Sequence, residues 1–158
     1  ITTSCAIGIT FAPTSATLGA LKNTLIIHDN DPTNPQLVAL TGTGTEVTLT
    51  PTTLAFGTVA SGSATLSVTV KNVGTTTLSF SKAPTITGTG STNFAVLPYS
   101  ATGPQSTCLN GTVTLAQNAS CTYTVQFTFA GGTTAFTTDL NIFDNGGGTQ
   151  TVVMTATD

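Results

Sequence analysis

Apolar and polar residues alternate along most of the chain, and no stretch sustains an apolar stripe at helical spacing, so the side-chain period is that of strands. From Ala64 to Lys71, Leu66, Val68 and Val70 point one way and Thr65, Ser67, Thr69 and Lys71 the other, as in a half-buried strand. Asn72-Val73-Gly74 punctuates that strand, and Leu78 and Phe80, alternating with Thr77, Ser79 and Ser81, read as the next antiparallel one. The longest alternation sets Cys121, Tyr123, Val125, Phe127 and Phe129 inward against Thr122, Thr124, Gln126 and Thr128, which predicts a central strand. Phe136, Leu140 and Ile142 share one parity, Asp144-Asn145 with Gly146 to Gly148 reads as a turn, and Val152 and Met154 mark the last strand. Short strands at this spacing with polar turns predict an all-β sandwich.

The pattern also repeats. Ser4-Cys5-Ala6-Ile7-Gly8-Ile9-Thr10-Phe11 matches Ser120 to Phe127 at an offset of 116, Leu25 to Asn30 matches Leu140 to Asn145 at 115, and Gln36 to Thr41 matches Gln150 to Thr155 at 114. The drift falls in loops, where deletions are tolerated. Residues 1–45 therefore correspond to the last three strands of a module, and residues 46–158 to a whole module of the same kind, so that the chain is expected to begin in mid-domain.

Composition narrows the function more than the fold. Thr supplies 39 of 158 residues, a β-branched excess that favours pleated strands. Charged residues are only 6%, with three lysines, no arginine and six carboxylates for a net charge of −3, which leaves no basic patch for phosphates and argues against nucleic acid as a partner. Apolar runs never approach the length of a spanning helix, so membrane insertion is not expected.

Leu49-Thr50-Pro51-Thr52-Thr53-Leu54-Ala55-Phe56-Gly57, followed by Val68-Thr69-Val70-Lys71-Asn72-Val73-Gly74, resembles the opening of a bacterial choice-of-anchor D repeat, related to the Hydin-type (ASH) immunoglobulin-like domains. Ile86-Thr87-Gly88, Asn93-Phe94-Ala95, the Cys108 and Cys121 pair and the closing Gln150 to Thr157 continue in the order of such repeats, and Asn34 to Gly44 ends like one. The resemblance implies an all-β, immunoglobulin-like antiparallel sandwich repeat of about seven strands, preceded here by the last three strands of a second copy. It implies secreted or cell-surface proteins of prokaryotes, and it brings no catalytic residue with it.

Three cysteines in a charge-poor chain point to an oxidising compartment, and a C-x12-C pair beside a strand is neither a zinc knuckle nor a redox C-x-x-C. A disulfide between Cys108 and Cys121 is expected, the alternative being two buried thiols. By the same separation the partner of Cys5 would fall before Ile1; as a nucleophile Cys5 lacks a base, because the only histidine, His28, aligns with Phe143 on a strand. His28, Asp29, Asn30 and Asp31 have the Asp-x-Asp spacing of a calcium loop, but Pro32 and Pro35 follow where a bend glycine and a further acid are needed, so an Asx-type turn is the better reading. Gly42-Thr43-Gly44 and Gly88-Thr89-Gly90 lack the third glycine and the helix of a nucleotide loop. Scattered acids without Trp do not suggest glycoside hydrolysis, and the second module has no histidine for a serine triad. Asn110-Gly111-Thr112 and Asn118-Ala119-Ser120 fit the N-glycosylation acceptor pattern; a turn and a loop are the plainer account.

The sequence thus leads to a non-catalytic repeat module without cofactor or metal. It is expected to act as a spacer or as a self-assembling fibre or surface-layer component, with an adhesin-type module that binds a glycan or surface protein through its loops as the alternative. The expected partners are other copies of the repeat or the same long chain, including a homo-polymer.

Overall fold

The computed structural model describes residues 4–14, 17–100, 102–103, 105–109, 112–132 and 134–158. Its strands are β1 (Gly19–Ile27), β2 (Gln36–Gly44), β3 (Val47–Thr50), β4 (Thr53–Thr58), β5 (Ser63–Asn72), β6 (Leu78–Ser79), β7 (Thr85–Thr89), β8 (Phe94–Val96), β9 (Thr114–Leu115), β10 (Ser120–Thr128), β11 (Ala135–Ile142) and β12 (Gln150–Thr157). Only two short 3-10 turns interrupt this all-β order among the described residues.

Two four-stranded sheets, ordered β3-β5-β10-β8 and β4-β12-β11-β7, enclose one core in an immunoglobulin-like sandwich. Pairing is antiparallel except where β4 runs parallel to β12. β10 is the central strand foreseen from its alternation: Val125 faces Leu66 on β5 and Val96 on β8. Val68, Val70, Val125, Phe127, Leu140, Ile142, Val152 and Met154 are wholly buried, each contributing on the order of 1.5–3 kcal/mol relative to exposure. The Phe127 ring lies 4.9 Å, centroid to centroid, from Phe94 on the neighbouring strand β8 and 5.7 Å from Phe136 on the opposite sheet, which links the two.

Of the strand expected through Leu78 and Phe80, only Leu78–Ser79 forms, as β6, which pairs with β9; Phe80 makes an isolated bridge with Asp144. Asn72, at the end of β5, is fully buried. Its side-chain amide donates to the Thr76 carbonyl at 2.7 Å and the Leu115 carbonyl at 2.9 Å, while its oxygen accepts from Gly74 N–H at 3.0 Å. Those bonds tie the chain that leaves β5 to β9.

The first 45 residues differ from expectation in one element. β1 and β2 form a hairpin, whereas the described segment 4–14, expected to open with a strand from Ser4 to Phe11, has no ladder partner. The counterpart of that segment, β10, is held by β5 and β8. Among the described residues no strand pairs with residues 4–14. One vestige of the sandwich contact survives: the Phe11 ring lies against Gly42, where an added Cβ would come within 2.8 Å of it.

Candidate functional site

The β1–β2 hairpin repeats the register of β11–β12 residue for residue. Ile27 faces Gln36 and Leu25 faces Val38, as Ile142 faces Gln150 and Leu140 faces Val152. Directly opposed residues share a face, so Leu21, Leu25, Ile27, Val38 and Leu40 form one apolar surface. In the sandwich the equivalent surface is sealed by the opposite sheet. In the hairpin Val38 is 45% exposed, against none for Val152, while Leu21, Leu25, Ile27 and Leu40 are half-buried; in the segment 4–14 Ile7, Ile9 and Phe11 are more than half exposed. Among the described residues neither β1 nor β2 has a second ladder partner, the condition under which sheets recruit further strands.

The base of the hairpin rests on the β11–β12 turn. Gly146 carbonyl accepts from Glu46 N–H at 2.7 Å, and Gln150 Nε2 donates both to Thr45 Oγ1 at 2.9 Å and to the Gly147 carbonyl at 2.8 Å. Gly147, at φ +86°, approaches the Gly44 carbonyl and Leu18 so closely that a Cβ would sit 2.6 Å from each. Glu46 itself is buried; its carboxylate accepts from the Thr76 hydroxyl and its carbonyl from Val73 N–H.

Two aspartates make the same Asx turn in the two copies. Asp29 Oδ1 accepts from Asp31 N–H and Asp144 Oδ1 from Gly146 N–H, both at 2.8 Å. Asp29 is exposed, whereas Asp144 Oδ2 is buried and has no hydrogen-bond partner. Burial raises the Asp144 pKa above the ordinary aspartate value, only partly offset by the Gly146 N–H. Burial, with a smaller part from the Asp144 charge, pushes Tyr123 up to about 12.

The residues singled out from the sequence do not converge. Cys108 and Cys121 are joined as a disulfide with Cα atoms 5.1 Å apart, and Cys5 is free and exposed. The bridge ties down a segment whose hydroxyls take the place of a ladder along β10: Ser106 Oγ accepts from Thr124 N–H at 2.9 Å and Thr107 Oγ1 from Thr122 N–H at 2.8 Å. His28, Asp29, Asn30 and Asp31 are exposed, and the Asp31 carboxylate is taken up by Thr33, whose hydroxyl and backbone N–H hold its pKa below the usual value. Asn118 is exposed in a turn at φ 66° ahead of β10, and Asn110 lies outside the described residues. Gly42 and Gly44 are part of β2 and Gly88 part of β7, so neither glycine pair forms a phosphate-binding loop. No group of three metal-ligating side chains occurs among the described residues, and no helix in them is long and apolar enough to cross a membrane. The buried Asn72 and the buried Oδ2 of Asp144 were legible only as parts of turns, because turn chemistry is local and burial is not.

No family model matches the chain, and no curated protein matches it. Solved structures do. VesB protease of Vibrio cholerae aligns with 72% of this chain at 19% identity and a TM-score of 0.50, and the chain spans 32% of VesB. A protein of unknown function from Porphyromonas gingivalis W83 aligns with 92% at 13% identity and a TM-score of 0.53, covering 69% of that protein. PapD-like domain 7, an ASH domain of human CEP192, aligns with 73% at 14% identity and a TM-score of 0.45, covering 86% of that domain. At these identities the likeness is one of fold. It nevertheless corrects the expected function: the sandwich occurs as about a third of a protease chain, so the fold is no mark of a spacer, a fibre or surface-layer subunit, or an adhesin-type module, and none of these readings is kept.

Proposed function

We propose that the chain is a non-catalytic, immunoglobulin-like accessory module of a larger secreted protein, related to the choice-of-anchor D repeats, and that it works by seating an adjoining part of that protein on the β1–β2 face. The observation that carries this reading is the register identity of the two hairpins, one buried in a sandwich and the other only half covered, with Leu21, Leu25, Ile27 and Leu40 half-buried and Val38 45% exposed. An apolar sheet face with two free edges is stable in water only when covered. The buried copy shows the cover it fits, a second sheet with Val, Leu and Phe pointing inward. The disulfide supports a secreted setting. The likeness to part of VesB supports a module that accompanies other domains.

The test is made in the longer parent protein. Val38→Asp together with Leu40→Asp is expected to expose the hairpin to limited proteolysis and to dye binding while the sandwich stays folded. Unchanged protection would overturn the seating role. Covalent labelling of the 158-residue chain by a fluorophosphonate probe would overturn the non-catalytic reading.

A further inference from the structure

The turn from Asp144 to Gly148 joins three parts of the molecule. Asp144 forms an isolated bridge with Phe80, and Asn145 Oδ1 accepts from Ser79 N–H at 2.8 Å while its amide donates to the Thr77 carbonyl at 3.1 Å, which fixes the turn to β6. Gly146 carbonyl holds Glu46 at the entry to β3, and Gly147 packs on Gly44 and Leu18 at the base of the hairpin. The side chain that shapes the turn is Asp144, through its bond to Gly146 N–H. Its other oxygen is buried without a donor. A protonated carboxyl tolerates that position far better than a carboxylate, for which an unmet buried oxygen is costly.

We propose that Asp144 is a pH-sensitive latch on this joint: with the carboxyl protonated the turn holds the hairpin base in the geometry seen here, and with the carboxyl ionised the turn opens toward water and the hairpin base loosens. The titratable groups on the elements packed around it do not supply a counter-charge. Tyr123 on β10 stays a neutral phenol until about 12. Glu46 ahead of β3 is itself an acid, engaged with Thr76. Lys82, just past β6, places its Nζ 3.8 Å above the Phe143 ring instead of on the carboxylate. The charge deficit of the chain thus leaves the latch without a salt bridge to override it. Asp29 is an internal control, the same turn built on an exposed aspartate. The latch is independent of what covers the hairpin face.

The experiment is an NMR titration of the 158-residue chain from acid to neutral pH, following the Asp144 carboxyl carbon and the amides of Gly146, Glu46, Gly44 and Leu18. The carboxyl is expected to titrate above the ordinary aspartate range, the four amides to move with the same midpoint, and residual dipolar couplings of β1–β2 to change across it. Asp144→Asn, which keeps the acceptor for Gly146, is expected to abolish the shifts while preserving a dispersed spectrum, and Asp29→Asn to leave them as in the parent chain. Two outcomes would overturn the proposal: a carboxyl that titrates at or below the ordinary range, or one that titrates high while Gly44 and Leu18 stay still.

Discussion

Leu25 lies directly across the β1–β2 ladder from Val38, and the pair occupies the positions that Leu140 and Val152 hold, wholly buried, in the sandwich. The same two-residue contact therefore exists twice in the molecule, once with a sheet above it and once with part of its surface open to water. This difference in cover, with no difference in local pattern, separates the first 45 residues from the rest.

Residues 46–158 are expected to fold alone, with a cooperative thermal melt, because both sheets and the core they share lie within them. Residues 1–45 are not, since an isolated hairpin is marginal in water. Circular dichroism of the two pieces at low concentration checks this. A cooperative melt of the 1–45 peptide would contradict it.

Reducing the Cys108 and Cys121 bridge, or replacing both with Ser, is expected to cost about 3 kcal/mol in urea unfolding, the loop-entropy magnitude for a loop of this size. The loss should begin in the segment that Ser106 and Thr107 tie to β10. Peptide mapping without reductant should return Cys5 unlinked to either of the other two.

Asn72→Leu is expected to destabilise the sandwich by about 3 kcal/mol, as it leaves the Leu115 and Thr76 carbonyls and Gly74 N–H without their partner. Asn72→Asp should also be destabilising, because a carboxylate keeps the Gly74 bond but cannot donate. Denaturant unfolding of the two variants tests both.

Gly147→Ala is expected to cost about 1–3 kcal/mol, since a side chain there is strained at φ +86° and meets the Gly44 carbonyl. Amide shifts at Gly44 and Leu18 should move with it. Gly131→Ala, also at positive φ but with open space around it, carries the backbone strain without the collision and should leave those shifts in place.

Stability should depend on pH through the half-buried Asp144 and the buried Tyr123, whose folded pKa values are both raised. For Asp144 the unfolded chain loses its proton first, so its contribution is whole below the ordinary aspartate value and is lost as pH rises through the raised folded one. Asp144→Asn should therefore unfold at higher urea than the parent at neutral pH, with the gap closing toward acid. For Tyr123 the same sign places the loss between the ordinary phenol value and about 12, and Tyr123→Phe, which keeps the edge-on packing against Phe80, should remove it.

Alternation along the chain was enough to place β5, β10, β11 and β12 and to identify β10 as central, because strand period and inward parity are written residue by residue. The matching register of β1–β2 and β11–β12 was legible for the same reason, and so was the Asx turn at Asp29 and Asp144, which needs only neighbours two residues away. What a strand pairs with and what covers a face depend on residues far along the chain. Ser4 to Phe11 has the alternation of β10 and forms no strand, whereas β10 is held by β5 and β8. Leu78 and Phe80 continue the alternation after β5, yet Leu78 pairs with β9 beside the buried Asn72 amide and Phe80 bridges Asp144. Asp29 and Asp144 make one turn with one hydrogen bond, and only the packing around the second leaves a carboxyl oxygen buried and raises its pKa, because desolvation is set by every atom that displaces water and sequence neighbours supply few of them.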